Sequence, residues 1–432
     1  MADFARSSHP QVQAQLDRLS KLSPAGDRLG LERIAALLDR LGRPQDQLPP
    51  VFHVAGTNGK GSTVAFLRAA LEASGYKVHA FTSPHLVRFN ERIRVAGRLI
   101  EDRELAELLR EVIDAGSGIE PSFFEVATAA AFLAFVRTPA DACILEVGLG
   151  GRLDATNVVE KPLVTGIANL GLDHQQFLGD ELVGIAAEKA AIAKPGVPLL
   201  TQLYPPAIAG EVERIALERG AIWLPRGREW DAIADKGKLR YEDEMGELRL
   251  PLPRLPGRHQ AMNAALAVAM LRRQDDFSLP TAALGAAMGW ADWPARLQHL
   301  APGPLVGDRE VWLDGGHNPS AARQIATFVR HEFDDGKPLH LIFASLARKD
   351  PPGMLEPFRD LAATVHAVPI PDHPCFTPSD LVEIAGGLGF AADAHDSVEE
   401  AVDAIPKDAR VLIFGSLYLA GVVLSANDQL PD

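Results

Sequence analysis

The chain has 432 residues, with 43 Lys and Arg against 57 Asp and Glu, and a formal net charge of −14. Hydrophobic residues at 47% and charged residues at 23% are ordinary globular usage, which excludes disordered and fibrous architectures, and the length suggests about two or three domains. The acidic balance excludes general nucleic-acid binding, which needs a basic face, so an anionic ligand must be held by locally placed donors.

Residues 11–41 read as helical, with Leu31, Ile34, Leu37, Leu38 and Leu41 at helical spacing. From Val51 an alternation sets in: an apolar strand at 51–55, a glycine-rich turn, then a helix at 62–74 that stops at Gly75. Strands at 76–82, 142–147, 163–169 and 197–201 alternate with helices at 123–136 and 182–193. Such a rhythm implies a mostly parallel sheet covered on both faces. Residues 225–255 interrupt it as a small antiparallel excursion, and a helix at 260–273 resumes it. After the turn Ala301-Pro302-Gly303-Pro304 a second series begins, with strands at 311–313, 339–344, 364–368 and 411–414. The expected fold class is α/β: a P-loop-containing, mostly parallel sheet domain over 1–298, then a smaller Rossmann-like α/β domain over 299–432.

Cys143 and Cys375 stand in no metal-ligand spacing and fit a reducing compartment. The opening MADFARSSHP shows no secretory pattern, and the apolar window at 126–136 is shorter than the about 20 residues a membrane span needs. The expected location is the cytoplasm, with no membrane and no nucleic acid as partner.

Gly56-Thr57-Asn58-Gly59-Lys60-Gly61-Ser62 is the most informative stretch. A buried strand runs into glycines and a lysine, and a helix follows. Glycines let successive N–H groups point inward at phosphate oxygens, and the helix N-terminus adds partial positive charge. Lys60 would lie along the terminal phosphates, and the Ser62 hydroxyl can reach Mg²⁺. The spacing is not that of the common GxxxxGK[ST] loop.

Glu146 ends an apolar strand, and Asp173 and His174 follow another; in a parallel sheet such positions converge at one end. With Ser62 they can complete a Mg²⁺ shell, although carboxylate is the usual ligand and imidazole an unusual one. On chemistry alone His174 reads rather as a capping or hydrogen-bonding histidine, Ser83 equally as an N-cap or turn serine, Lys189 as a solvated helical cation and Phe124 equally as helix core. Asp314-Gly315-Gly316-His317 reads as an ordinary strand-to-helix turn, with Asn318 and Pro319 suited to N-cap and N1. Arg88, Arg92 and Arg94 form a basic group that either meets an anionic substrate or is a solvated charge run. A nucleotide-switch protein would carry a base-reading NKxD-like element, and none is visible.

Several motifs together resemble the Mur-type ATP-dependent amide ligases, in particular the folylpolyglutamate synthase/dihydrofolate synthase family. They are GTNGKGST at 56–63, TSPHLVRFNERI at 82–93, FFE at 123–125, EVGLGGRLDATN at 146–157 and LDHQQFLGD at 172–180. EKAAIAKPG at 188–196, WPARLQ at 293–298, LDGGHNP at 313–319 and GSLYLA at 415–420 complete the set. The resemblance implies that MgATP phosphorylates the carboxylate of a pteroate or folate, and that the amino group of L-glutamate then displaces phosphate. It implies dihydropteroate and tetrahydrofolate as acceptors; the narrower alternative is a folylpolyglutamate synthase alone.

The same resemblance implies two Mg²⁺ ions, with Ser62, Ser83, Glu146 and His174 as ligands, and a carbamylated Lys189. It implies ATP contacts from Gly56–Ser62, Asn263, Arg296, Asp314 and His317, with Asp314 and His317 approaching from across an interdomain cleft and Arg296 from the hinge, and with Lys60, Lys189, His174 and Arg296 as the catalytic set. Phe124, Asp154 and Ala155 match positions near the pterin. The sequence departs from the family pattern at Ala191, where glycine is typical, and at Arg28, in the 27–33 segment, where an acidic residue is typical. The family also implies a monomer.

Overall fold

The computed structural model describes residues 5–22 and 29–432, so Arg28 lies outside the described residues. Contacts divide the chain into one unit of Met1–Arg254 with Gln260–Asp292, and a second of Leu255–His259 with Trp293–Asp432.

In the first unit, the stretch expected as helical at 11–41 contains two helices, α1 (Pro10–Leu22) and α2 (Glu32–Arg40); α2 buries Ile34, Leu37 and Leu38. The sheet contains β1 (Val51–Ala55), β2 (Val78–Phe81), β3 (Ile93–Val95), β4 (Arg98–Leu99), β5 (Ala142–Glu146), β6 (Val164–Ile167), β7 (Pro198–Thr201) and β8 (Ile222–Pro225). Their order is β4-β3-β2-β5-β1-β6-β7-β8, with β3 and β4 antiparallel at one edge and every other pair parallel. All five residues of β1 are buried, as a central strand covered on both faces requires.

The covering helices include α3 (Lys60–Ala73), α4 (Asp102–Ala115), α5 (Phe123–Arg137), α6 (Gln175–Leu178), α7 (Leu182–Ala190), α8 (Pro206–Glu218), α9 (Arg258–Arg272) and α10 (Thr281–Trp290). On one face Val51, Phe81, Cys143 and Leu145 join a core with α1, α2, α4 and α5, and Ala55, Ile167 and Leu199 join a second with α7 and α8. On the other face Met270 of α9 packs where a side chain at Gly166 would stand, so that glycine sets how closely helix meets sheet. The expected excursion is present as β9 (Trp230–Asp235), β10 (Lys238–Asp243) and β11 (Gly246–Pro251), antiparallel throughout and tied to α9 by the Arg272–Asp243 ion pair.

The second unit holds β12 (Gln298–His299), β13 (Glu310–Leu313), β14 (Leu339–Phe343), β15 (Thr364–Ala367), β16 (Ala391–Ala394) and β17 (Arg410–Phe414). Their order is β12-β13-β17-β14-β15-β16, parallel apart from the edge strand β12. Helix α11 (Pro319–Glu332) starts as its sequence suggests: the Asn318 side chain accepts from the Ala321 N–H at 2.9 Å, and Pro319 is the first helical residue. Mixed α/β architecture with a parallel-dominated sheet and a second, smaller sheet unit is the expected fold class.

Two of the helix boundaries that differ from expectation have a local cause. The helix expected at 62–74 begins at Lys60, because Gly59 takes φ +88° and turns the chain into the helix two residues early. The helix expected to reach 193 ends at Ala190, where i−3 bonds from Ile192 to Lys189 and from Ala193 to Ala190 tighten the chain ahead of Pro195.

Candidate active site

Strands β2, β5, β1 and β6 are adjacent and parallel, so the residues that follow their C-terminal ends share one end of the sheet. These residues are Ser83, Glu146, the glycine-rich loop 56–62 and the Asp173–His174 pair.

The loop is held by its neighbour. The Thr57 and Asn58 N–H groups both donate to the Asn169 carbonyl, at 2.8 and 3.2 Å, and the Thr57 hydroxyl meets the Gly171 carbonyl at 3.0 Å. The first intrahelical bond of α3 runs from the Thr63 N–H to the Gly59 carbonyl at 2.9 Å. The N–H groups of Lys60, Gly61 and Ser62 therefore precede the ladder, in the position from which helix N-termini bind anions. The Lys60 ammonium donates to the Gly56 and Thr57 carbonyls at 3.1 and 3.4 Å, which places its charge inside the loop's own curve. Gly59 has no room for a side chain: Asn263 of α9 occupies the space. Asn263 is buried and donates to Gln260 Oε1 at 3.0 Å, while Gln260 Nε2 has no partner. Gln260 was not expected as a site residue; a buried amide three residues before Asn263 on the same helix is the signal that marks it.

The Ser62 hydroxyl is buried without a hydrogen-bond partner. A hydroxyl in that state is costly unless a ligand completes it. Glu146 is buried at the end of β5 and accepts from the Ser83 N–H at 3.3 Å. A lone-pair oxygen and a carboxylate at one sheet end fit a hard divalent cation. Among the described residues no group of three or more His, Cys, Asp or Glu side chains is placed to hold a metal. His174 does occupy the N-cap position of α6, with φ +53°, but its side chain makes no cap bond; its N–H donates to Asp173 Oδ1 at 2.8 Å. The capping reading therefore does not account for the imidazole.

Lys189 lies in α7 and is buried, not a solvated surface cation. Burial, with the Lys60 charge adding to it, pushes its ammonium down to about 7. Gly151 packs directly on its Cα, at a distance where any side chain would collide. Phe124 is half-buried at the start of α5, with its ring 5.7 Å from that of Phe81 and against Gly148. Asp154 and Ala155 are buried. The Asp154 carboxylate accepts from the Gly148, Leu149 and Thr156 N–H groups and from the Thr156 hydroxyl, at 2.6–3.0 Å, and burial pushes its pKa up.

The basic group expected from Arg88, Arg92 and Arg94 is not a common surface. Arg92 is buried, donates to His85 Nδ1 at 2.8 Å and lies over the rings of Phe89 and Phe123, because a delocalised guanidinium stacks well on aromatics.

In the second unit Arg296, Asp314 and His317 gather at the end of β13. Asp314 accepts from the Leu297 and Gly316 N–H groups at 2.8 and 2.6 Å, and burial pushes its pKa up while the Arg296 charge opposes this. Arg296 donates to the Ala295 carbonyl at 2.8 Å, and His317 Nδ1 lies 2.9 Å from the Gly315 carbonyl. Gly315 is required here, since a side chain would meet Arg296 and Leu417.

A glycine-rich loop, helix N-terminus, lysine, free hydroxyl and carboxylate at one end of a parallel sheet have the make-up of a nucleotide-dependent phosphoryl-transfer site. Comparison with known proteins makes this specific. Residues 306–426 match the family model described as "Dihydrofolate synthetase, C-terminal domain". The dihydrofolate synthase/folylpolyglutamate synthase of Bacillus subtilis is 34% identical, over 91% of this chain and 94% of that protein. Escherichia coli FolC in complex with DHPP and ADP superposes with a TM-score of 0.87 at 32% identity, covering 97% of this chain and 99% of that one. A bifunctional folylpolyglutamate synthase/dihydrofolate synthase with Mn, AMPPNP and L-glutamate bound gives a TM-score of 0.85 at 29% identity, covering 96% and 97%. The chain belongs to the dihydrofolate synthase/folylpolyglutamate synthase family. Among the described residues no helix is long and apolar enough to cross a membrane.

Proposed function

We propose that this chain is an ATP-dependent carboxylate–amine ligase that joins L-glutamate to folate carboxylates, making dihydrofolate from dihydropteroate and extending tetrahydrofolate to polyglutamates. The observation that carries the reading is the buried Ser62 hydroxyl without a partner, set in an anion-binding loop beside Glu146. A carboxylate is a poor electrophile until one of its oxygens becomes part of a phosphate leaving group. Its oxygen attacks the γ-phosphorus and ADP departs; the glutamate amine then attacks the acyl carbon and phosphate departs.

Lys60 and the free N–H groups of Lys60, Gly61 and Ser62 hold the phosphates, together with Gly56, Thr57, Asn58 and Gly59, and Asn263 lies against this loop. Ser62 and Ser83 would hold one Mg²⁺, and Glu146 and His174 a second. A divalent cation supplies neutralisation of the charge that builds on the transferring phosphoryl group. Lys189, buried and with its amine partly neutral near pH 7, is suited to carbamylation, since only a neutral amine attacks CO₂. The resulting anion would sit among cations rather than beside Lys60 as a second ammonium. The family resemblance marks Arg296, Asp314 and His317 as further ATP-binding residues, with Arg296 also in the catalytic set. Phe124 offers an aromatic wall to the pterin, and the Asp154–Ala155 loop, supported from within by four donors, gives that wall its neighbour.

We assign the protein to the cytoplasm as a monomer acting on small molecules, in keeping with two unpaired cysteines, Cys143 and Cys375. The reading is tested by mass analysis of products formed from ATP, Mg²⁺, L-glutamate and either dihydropteroate or tetrahydrofolate. Addition of one glutamate to dihydropteroate and of further glutamates to tetrahydrofolate is expected. Addition to tetrahydrofolate alone would establish the narrower activity, and ATP hydrolysis without any amide would refute the ligase.

A further inference from the structure

His53 lies in the middle of β1, three residues before the glycine-rich loop, and is wholly buried. Its Nε2 lies 2.8 Å from the Thr156 hydroxyl, and that hydroxyl donates to Asp154 Oδ1 at 2.6 Å. The hydroxyl has one proton, and it goes to the carboxylate; the hydroxyl must therefore accept from His53, whose single ring proton sits on Nε2. Nδ1 is then a buried acceptor, and it has no partner. Burial, with the charge of Lys194 adding to it, pushes the ring's pKa down to about 3, so the imidazole is neutral over the working range. Asp154 in turn gathers the N–H groups of Gly148 and Leu149, two and three residues past Glu146, where Gly148 packs on the Phe124 ring.

We infer that His53 is a positioning residue for the acyl-acceptor side of the site: through Thr156 and Asp154 it fixes the loop 148–156 to the strand that carries the phosphate loop. This rests on the proposed reading of the Phe124 and Asp154–Ala155 surface as the pterin side. The phosphate loop has its own anchors on the opposite neighbour, at the Asn169 and Gly171 carbonyls, so the relay's loss frees one loop and not the other. An orphaned Nδ1 in a core strand is tolerated because the other nitrogen makes this link.

The test separates hydroxyl from shape. Thr156→Val keeps the volume and removes the relay; Thr156→Ser keeps the relay. With Thr156→Val the KM for dihydropteroate should rise about tenfold while the KM for ATP stays within about twofold, and Thr156→Ser should match the parent protein. His53→Leu should behave like Thr156→Val, the double variant should be no worse than either single one, and His53→Gln, which retains a donor, should recover most of the loss. Hydrogen exchange gives a readout that needs no turnover: amides at 148–156 should exchange about tenfold faster in Thr156→Val, and those at 56–62 at the parent rate. An equal rise in both Michaelis constants, or unchanged constants and exchange, would overturn the inference. Failure of the parent protein to form amide would instead strike the proposed reaction, and the exchange comparison would still decide the relay.

Discussion

Lys60 shows how much one side chain carries. Its ammonium already lies in the curve of the loop, bonded to two carbonyls rather than to a carboxylate, so removing it breaks no ion pair that holds the fold. Lys60→Ala should lower kcat at least about a hundredfold, as loss of a preorganised charge at a transition state does, with the thermal midpoint nearly unchanged. Near-normal turnover would refute its phosphate role. Lys189 makes a complementary case. Lys189→Arg keeps a cation and the helix but cannot be carbamylated; turnover should fall at least about a hundredfold, and a fully active variant would exclude the carbamate. Lys189 and Ser62 were legible in the sequence by motif, and the apolar neighbours Ile185, Ala186, Ala190 and Ile192 point to a buried Lys189 against the solvated default; the unpartnered state of the Ser62 hydroxyl was not legible. His53 and Thr156 were not legible as partners at all, since they stand about a hundred residues apart and only the sheet brings them together.

At the scale of elements, α3 depends on Gly59. Its φ of +88° costs a residue with a side chain about 1–2 kcal/mol, and Asn263 fills the space a Cβ needs. Gly59→Ala should therefore lower unfolding free energy by about that much or more and weaken ATP binding, measured by urea titration and by nucleotide affinity. A variant as stable and as tight as the parent would show that the loop's geometry matters little. The sequence located β1 at its observed bounds because Val51 to Ala55 is an unbroken buried run between turn signals. It also located the stop of α3, where Gly75 at φ +90° donates to Glu72 and Tyr76 donates to Leu71. It missed the start of α3, since glycine at 59 and at 61 reads as turn on either side of Lys60. Strand β16 was missed for a different reason. Its sequence Ala-Ala-Asp-Ala carries no apolar alternation, because an edge strand that is largely exposed does not need one.

Across the whole molecule, the acidic composition coexists with histidines kept neutral by burial. His53 is pushed down to about 3 and His259 and His366 to about 4; His366 stands in a row with His340 and His395, each ring nitrogen pair 3.0 Å apart. Unfolded, each would titrate near 6.5, so between about pH 6.5 and 4 the unfolded chain binds more protons than the folded one. These groups therefore contribute stability that is present above that window and lost as pH falls through it. His366→Gln removes one such proton, and the fall of unfolding free energy between pH 7 and 5 should become shallower by that one group. A slope identical to that of the parent would show that His366 is protonated as freely in the fold as outside it.

Amide formation by the proposed route depends on transfer of the γ-phosphoryl group to the acceptor carboxylate at the loop that begins α3. Dihydropteroate labelled with ¹⁸O in its carboxylate tests this directly, by mass analysis of the phosphate released as dihydrofolate forms. One labelled oxygen per phosphate is expected, because the bond broken when glutamate attacks lies between the acyl carbon and that oxygen. Unlabelled phosphate released alongside amide would contradict the acyl phosphate and the role given to the site.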